Sequence, residues 1–167
     1  AADRIRNRVN NIRQQLGAVE VSRLVSKPEG APLTDLPWSS VTDGNSEASS
    51  VDHDGRKCLR LLARGGEANV SWRSPMRVPQ GVQGKLRVEC QVACKDVVAT
   101  QPTTGPGGGV RVSGGTRTPG MSGTTKWKKV WYDFDAGAGE VILVLELRAS
   151  AGEMWVDRGS IRLMRAP

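Results

Sequence analysis

The residues best suited to chemistry in this chain are its tryptophans and the polar groups beside them. In segment 126–134, Val130, Tyr132 and Phe134 fall on one side of a period-two pattern, and Trp127, Lys129, Trp131 and Asp133 on the other. With the first set against a core, Trp131 points outward. In segment 154–157, Met154 and Val156 share a side and Trp155 takes the other. The aromatic residues are five Trp, one Tyr and one Phe. A flat indole matches the apolar C–H face of a pyranose ring, and amides and guanidinium groups match its hydroxyls. Trp131 and Trp155 are therefore the candidate sugar platform, with Arg87 and Gln91 as polar partners. The competing reading is that these rings cover a sheet edge or pack beneath the N-terminal helix. Trp72 and Trp127 read as core or rim residues.

Catalytic chemistry finds little support. His53 is the single histidine and lies between Asp52 and Asp54, ahead of Gly55, a turn composition rather than a general base. Glu20, Glu67, Glu89, Glu140, Glu146 and Glu153 are present, but spacing singles out no pair for glycoside hydrolysis. No P-loop, HExxH motif or dinucleotide glycine fingerprint occurs, and Gly107-Gly108-Gly109 reads as loop composition. The three cysteines, Cys58, Cys90 and Cys94, have no CxxC spacing. Leu86, Val88, Cys90, Val92 and Cys94 form the apolar side of an alternating strand, so both of its cysteines read as small core residues. Four residues along a strand span about 13 Å, too far for these two to pair. A bridge from either to Cys58 stays open.

The chain has 167 residues, 38% of them hydrophobic, which suits one domain plus an added element. Its net charge is +7 and its pI about 9.8. Residues 1–27 hold six Lys/Arg and two acids, and residues 28–167 hold eighteen and fifteen. More than half of the excess thus sits on a short N-terminal segment. In the body, Lys126, Lys128 and Lys129 beside Trp127 form the one local cluster, which argues for a solubilising surface and against nucleic acid. No apolar run reaches the roughly 18–20 residues of a membrane-spanning helix. The opening Ala1-Ala2-Asp3 reads as a matured chain or a piece of a longer polypeptide.

These side chains need elements to hold them. Residues 3–16 are predicted to be helical, with Asp3 as N-cap, a stripe of Ile5, Val9, Ile12 and Leu16, and Gly17 at the end. This helix is expected to pack on the body or on a neighbouring domain. Strands are predicted at 18–25, 47–51, 58–62, 67–72, 76–78, 85–95, 110–112, 126–134, 141–147 and 154–163, with Asp54-Gly55 as a turn. Loops are predicted at 27–45, 100–109 and 113–125. Short strands with no helix between them imply an all-β, antiparallel β-sandwich. The division is residues 1–17 as helix or linker to an upstream domain, and 18–167 as the sandwich.

Four segments add a resemblance. Residues 127–134, 140–147 and 152–161 together are similar to the closing motif of the galactose-binding-like jelly rolls, which include carbohydrate-binding modules. Residues 55–61 resemble that superfamily's turn and strand, and 74–81 its hairpin. The resemblance implies a jelly roll over about 18–165. It also implies a non-catalytic accessory module, binding polysaccharide or glycan, within a larger secreted or cell-envelope protein. No cofactor is required, but relatives hold a structural calcium. The corresponding positions here are Asp157, Glu20 and the neighbourhood of Asp54 and Lys57. Arg158 departs from the superfamily's second aspartate; a structural calcium stays possible with Arg158 pointing away, and the alternative is that Arg158 pairs with Glu20 or Asp157 in place of the ion. The rival functions are a structural or protein–protein interaction module of the same fold and a hydrolase fragment.

Overall fold

The structure is a computed structural model that describes residues 2–9, 23–78, 81–100, 107–115, 120–137 and 139–167. Ten strands follow in chain order. They are β1 (Ala31–Pro32), β2 (Ser39–Val41), β3 (Ser46–His53), β4 (Arg56–Ala63), β5 (Ala68–Arg77), β6 (Lys85–Ala99), β7 (Gly107–Val112), β8 (Gly123–Asp135), β9 (Glu140–Asp157) and β10 (Arg162–Arg165). All their pairings are antiparallel.

The long strand β9 belongs to both layers. Its first half pairs with β5 on one side and β7 on the other, while its second half pairs with β4 and β6. One layer therefore runs β3-β4-β9-β6-β8, with β10 and β1 added beside the start of β6. The other runs β2-β5-β9-β7. Alternation sets the faces. Leu59, Leu61, Val88, Val92, Met154 and Val156 of the first layer meet Val70, Val110, Leu143, Leu145 and Leu147 of the second in one buried cluster. The all-β sandwich expected from the strand pattern is the observed architecture.

Several boundaries differ from expectation. Pro75 does not break β5, because β2 pairs only with Ser71–Arg73 and leaves the edge beside the proline without a described partner strand. The triple glycine is strand rather than loop. A Cβ at Gly107 would lie 2.3 Å from the Met121 carbonyl oxygen, so the backbone bridge between Gly108 and Met121 favours glycine at 107. Segment 141–147 and the start of 154–163 are one strand, since β9 continues through Ser150-Ala151-Gly152, and 154–163 is itself broken by a 3-10 turn at Arg158–Ser160 before β10. Short strands β1 and β2 lie within the expected loop 27–45.

Residues 2–9 are helical and exposed, including Ile5 and Val9, whereas Ile12 and Leu16 lie outside the described residues. Of the strand expected at 18–25, residues 18–22 also lie outside them. Arg23 and Leu24 are helical and lead into a turn in which Lys27 donates to the Leu24 carbonyl. The buried Val25 is held by its own carbonyl, which accepts from Arg165.

All three cysteines are buried and free. Cys90 and Cys94 face the core, while Cys58 lies on the outer face of the same layer with Ala93 and Trp155, so a bridge to it would have to pass through the sheet. Burial pushes the Cys90 thiol up to about 12 and the Cys58 and Cys94 thiols up to about 11, with Asp157 adding to the rise at Cys58. An unfolded thiol ionises near 9, so raising the pH from about 9 to 11 favours the unfolded chain. The expected result is a melting temperature that falls more steeply across this window in the native chain than in a variant with all three cysteines changed to alanine. Parallel slopes would contradict it.

Candidate functional site

The outer face of the first layer carries the polar and aromatic residues singled out above. The β3–β4 hairpin turns through Asp54 and Gly55, both with positive φ (53° and 72°), as a two-residue turn of this twist requires. The turn sets His53 opposite Arg56. Cys58 and Ala93 are small and leave room above the sheet, and His53 lies flat on Trp155 with ring centroids 4.1 Å apart and planes 5° apart. Trp127 tilts against His53 at 6.4 Å. The Arg56 guanidinium sits 4.2 Å from the Trp127 ring centroid and donates to Asp157 Oδ2 at 3.0 Å. Trp127 Nε1 donates to Asp54 Oδ2 at 3.2 Å.

Trp155 therefore corrects the expectation of a shared platform. It lies on the outer face, but His53 covers it and only 7% of it is exposed. It is also displaced from Trp131. Trp155 pairs with Ala93 on one edge of β6 and Trp131 with Glu89 on the other, four residues apart along that strand, or about 13 Å.

Trp131 stands alone as the exposed ring, with 52% of its surface accessible. Arg87 lies 5.0 Å from its ring centroid and is held by a two-pronged bond to Asp133, Nε to Oδ1 at 2.7 Å and Nη2 to Oδ2 at 3.0 Å. This pairing holds the Asp133 carboxyl below the usual carboxylate range and raises the Arg87 guanidinium. The ring is thus backed by a fixed planar cation.

A groove of about 320 Å³ lies beside it, lined by Glu89, Gln91, Lys129, Asp157, Gly159, Ser160 and Arg162. The 3-10 turn Arg158–Ser160 between β9 and β10 forms one wall. Asp157 caps this turn, accepting from Gly159 N at 3.0 Å, and Ser160 Oγ donates to the Asp157 carbonyl and accepts from Gln91 N at 2.8 Å. On the other side Lys129 Nζ lies 3.7 Å from Glu89 Oε1. The structure thus brings Gln91 into the groove and Arg87 against Trp131. Glu89, Lys129, Ser160 and Arg162 were missed as site residues. Alternation in β6 and β8 placed Glu89 and Lys129 outward, but nothing local to β10 announced that Arg162 joins them.

The described carboxylates named for calcium are engaged by other groups. Asp157 gives one oxygen to Arg56 and the other to Gly159 N, Asp54 accepts from Trp127, Lys57 is exposed and paired with Asp52 across the hairpin, and Glu20 lies outside the described residues. Among the described residues no group of three or more His, Cys, Asp or Glu side chains could hold a metal ion. The cation beside Asp157 is Arg56, not Arg158.

No protein-family model and no curated protein matches the sequence. Solved structures do. The chain is similar to the family 61 carbohydrate-binding module TmCBM61, solved in complex with beta-1,4-galactotriose, with a TM-score of 0.50 and 15% identity over 78% of this chain and 89% of that one. A native family 35 carbohydrate-binding module from Clostridium thermocellum matches at 0.44 and 15% identity, covering 76% and 92% of the two chains. The CBM22-1 xylan-binding domain of Paenibacillus barcinonensis Xyn10C matches at 0.40 and 13%, covering 77% and 88%. The protein has the β-sandwich jelly-roll fold found in carbohydrate-binding modules.

Proposed function

We propose that this chain is a non-catalytic module that binds polysaccharide or glycan on the outer face of its first layer, between Trp131 and the adjoining groove. The exposed Trp131 ring, backed by Arg87, carries the reading. It offers a sugar ring a flat surface fixed in orientation before binding, beside acceptors and donors suited to hydroxyls. Glu89 and Asp157, the carboxylates that line the groove, are each paired with a cation, Lys129 and Arg56. That arrangement suits them to accept hydrogen bonds from hydroxyls. In this reading the chain is an accessory part of a larger secreted or cell-envelope protein, joined to adjacent domains.

The test is affinity electrophoresis of the 167-residue chain through gels containing a panel of neutral and acidic polysaccharides, followed by titration with oligosaccharides of whichever retards it. Retardation relieved by free oligosaccharide supports the reading. No retardation by any member overturns it in favour of the rival, a structural or protein–protein interaction module of the same fold.

A further inference from the structure

We infer that the ligand of this groove bears a carboxylate: an acidic glycan containing uronic acid units, engaged by Arg162 while a ring stacks on Trp131. The inference rests on the glycan reading above and adds the class of sugar.

Its basis is the distribution of charge on the outer face. Five acidic side chains there have cations of their own. Asp157 is bonded to Arg56, Glu153 to Arg60 at 2.9 Å, Asp133 to Arg87, Glu47 to Arg64, and Glu89 faces Lys129. Arg162 departs from this pattern. It stands directly across from Glu89 on the neighbouring strand, yet Glu89 turns toward β8, and Arg162 forms no ion pair among the described residues. Its hydrogen bond is a long one, 3.5 Å from Nη1 to the Glu29 carbonyl. A guanidinium carries five N–H donors in a planar fork, so one long bond leaves most of the capacity of this groove-lining residue for a ligand. That fork is matched by a carboxylate, which it binds through two parallel bonds, better than by a lone hydroxyl.

Position supports the same occupant. Arg162, Glu89 and Trp131 lie in one row across three adjacent strands. Two strand spacings, about 10 Å, separate the arginine from the tryptophan at the backbone. A sugar stacked on Trp131 can extend its own or its neighbour's carboxylate toward Arg162 across Glu89. Lys129, on the opposite wall, adds a second, looser positive charge, and the chain's net charge of +7 favours approach of a polyanion.

The experiment compares matched ligands on the 167-residue chain by isothermal titration. Oligogalacturonate, oligoglucuronate and oligomannuronate are each set against the same oligosaccharide with its carboxyls reduced to alcohols. The expected result is that at least one uronide binds about tenfold or more tightly than its reduced partner. That preference should shrink as NaCl is raised from about 20 to about 500 mM. In Arg162→Gln the ratio of acidic to reduced affinity should fall close to one, and Arg162→Lys should recover part of it. The salt series uses the native chain, so the inference stays testable if either variant folds poorly. Reduced oligosaccharides that bind as well as the uronides would overturn the inference while leaving the glycan reading intact. Binding of neither would overturn the inference, while the glycan reading would stand or fall on the polysaccharide panel above. Equal binding of single-stranded DNA would show a general polyanion surface and also overturn the inference.

Discussion

Trp131→Ala is expected to weaken glycan binding by about 30-fold or more while moving the melting temperature by only a few degrees. The two effects separate because of where the ring sits. With half of its surface accessible, its removal opens no cavity in the core, and substitutions at such positions typically change stability by about 0.5 kcal/mol. Loss of the stacking contact with Arg87 adds about 0.5–1 kcal/mol, and a chain of this size loses about 2–4 °C per kcal/mol. On the binding side, an aromatic anchor at the centre of a contact is typically worth about 2 kcal/mol or more, which is the 30-fold loss. Titration with the best oligosaccharide and a thermal melt on the same sample check both numbers. A melting temperature lowered by 10 °C or more would place Trp131 among the structural residues and remove the main support for the sugar site.

Gly152→Ala should produce the reverse, a large loss of stability. Gly152 has φ of 118°, where a side chain strains the backbone. It also packs against β6 where that strand inserts an extra residue, three positions from Lys95 to Val98 facing two from Glu153 to Ala151. A Cβ there would lie 2.5 Å from Val97 Cα and 2.7 Å from the Asp96 carbonyl oxygen. Backbone atoms cannot swing aside as a side-chain end would, so β9 and β6 must part. Strain and overpacking together are expected to cost about 3 kcal/mol or more. Gly44→Ala is the control, since a Cβ at Gly44 meets nothing within 4 Å, and its effect should be small. Urea unfolding of both variants is the measurement. Equal midpoints would refute the account given for Gly152.

The sequence revealed faces better than it revealed neighbours. Strict alternation in β6 and β8 put Cys90, Cys94, Tyr132 and Phe134 inward and Trp131 outward, because the period of a strand is local information. The Asp54-Gly55 turn was legible for the same reason. Trp155 was assigned to the right face, but its burial depends on His53, which a separate hairpin delivers from 102 positions earlier in the chain. The groove is assembled from β6, β8, β10 and the turn after β9, and only their long-range pairing makes them adjacent. Local composition misled at Gly107-Gly108-Gly109 and at Ser150-Ala151-Gly152. Close backbone neighbours favour glycine at Gly107 and Gly152, and in a sequence such small-residue runs look like loops.

The placement of β9 also governs the order in which this molecule can be made. It lies between β4 and β6 in one layer and between β5 and β7 in the other, although all four of these strands precede it in the chain. A growing polypeptide that has reached residue 139 holds the β3–β4 hairpin, which is a local structure, but has nothing to join that hairpin to β6 or to join β5 to β7. Folding of the sandwich therefore waits for the synthesis of β9, with Cys58 paired to Asp157 across 99 positions as one of the contacts to be closed. Such distant closures make for slow folding, in the millisecond-to-second range typical of all-β domains. Until then the open edges of β4, β5 and β7 are available to other chains, and the nascent protein is most exposed to aggregation in the interval just before β9 emerges.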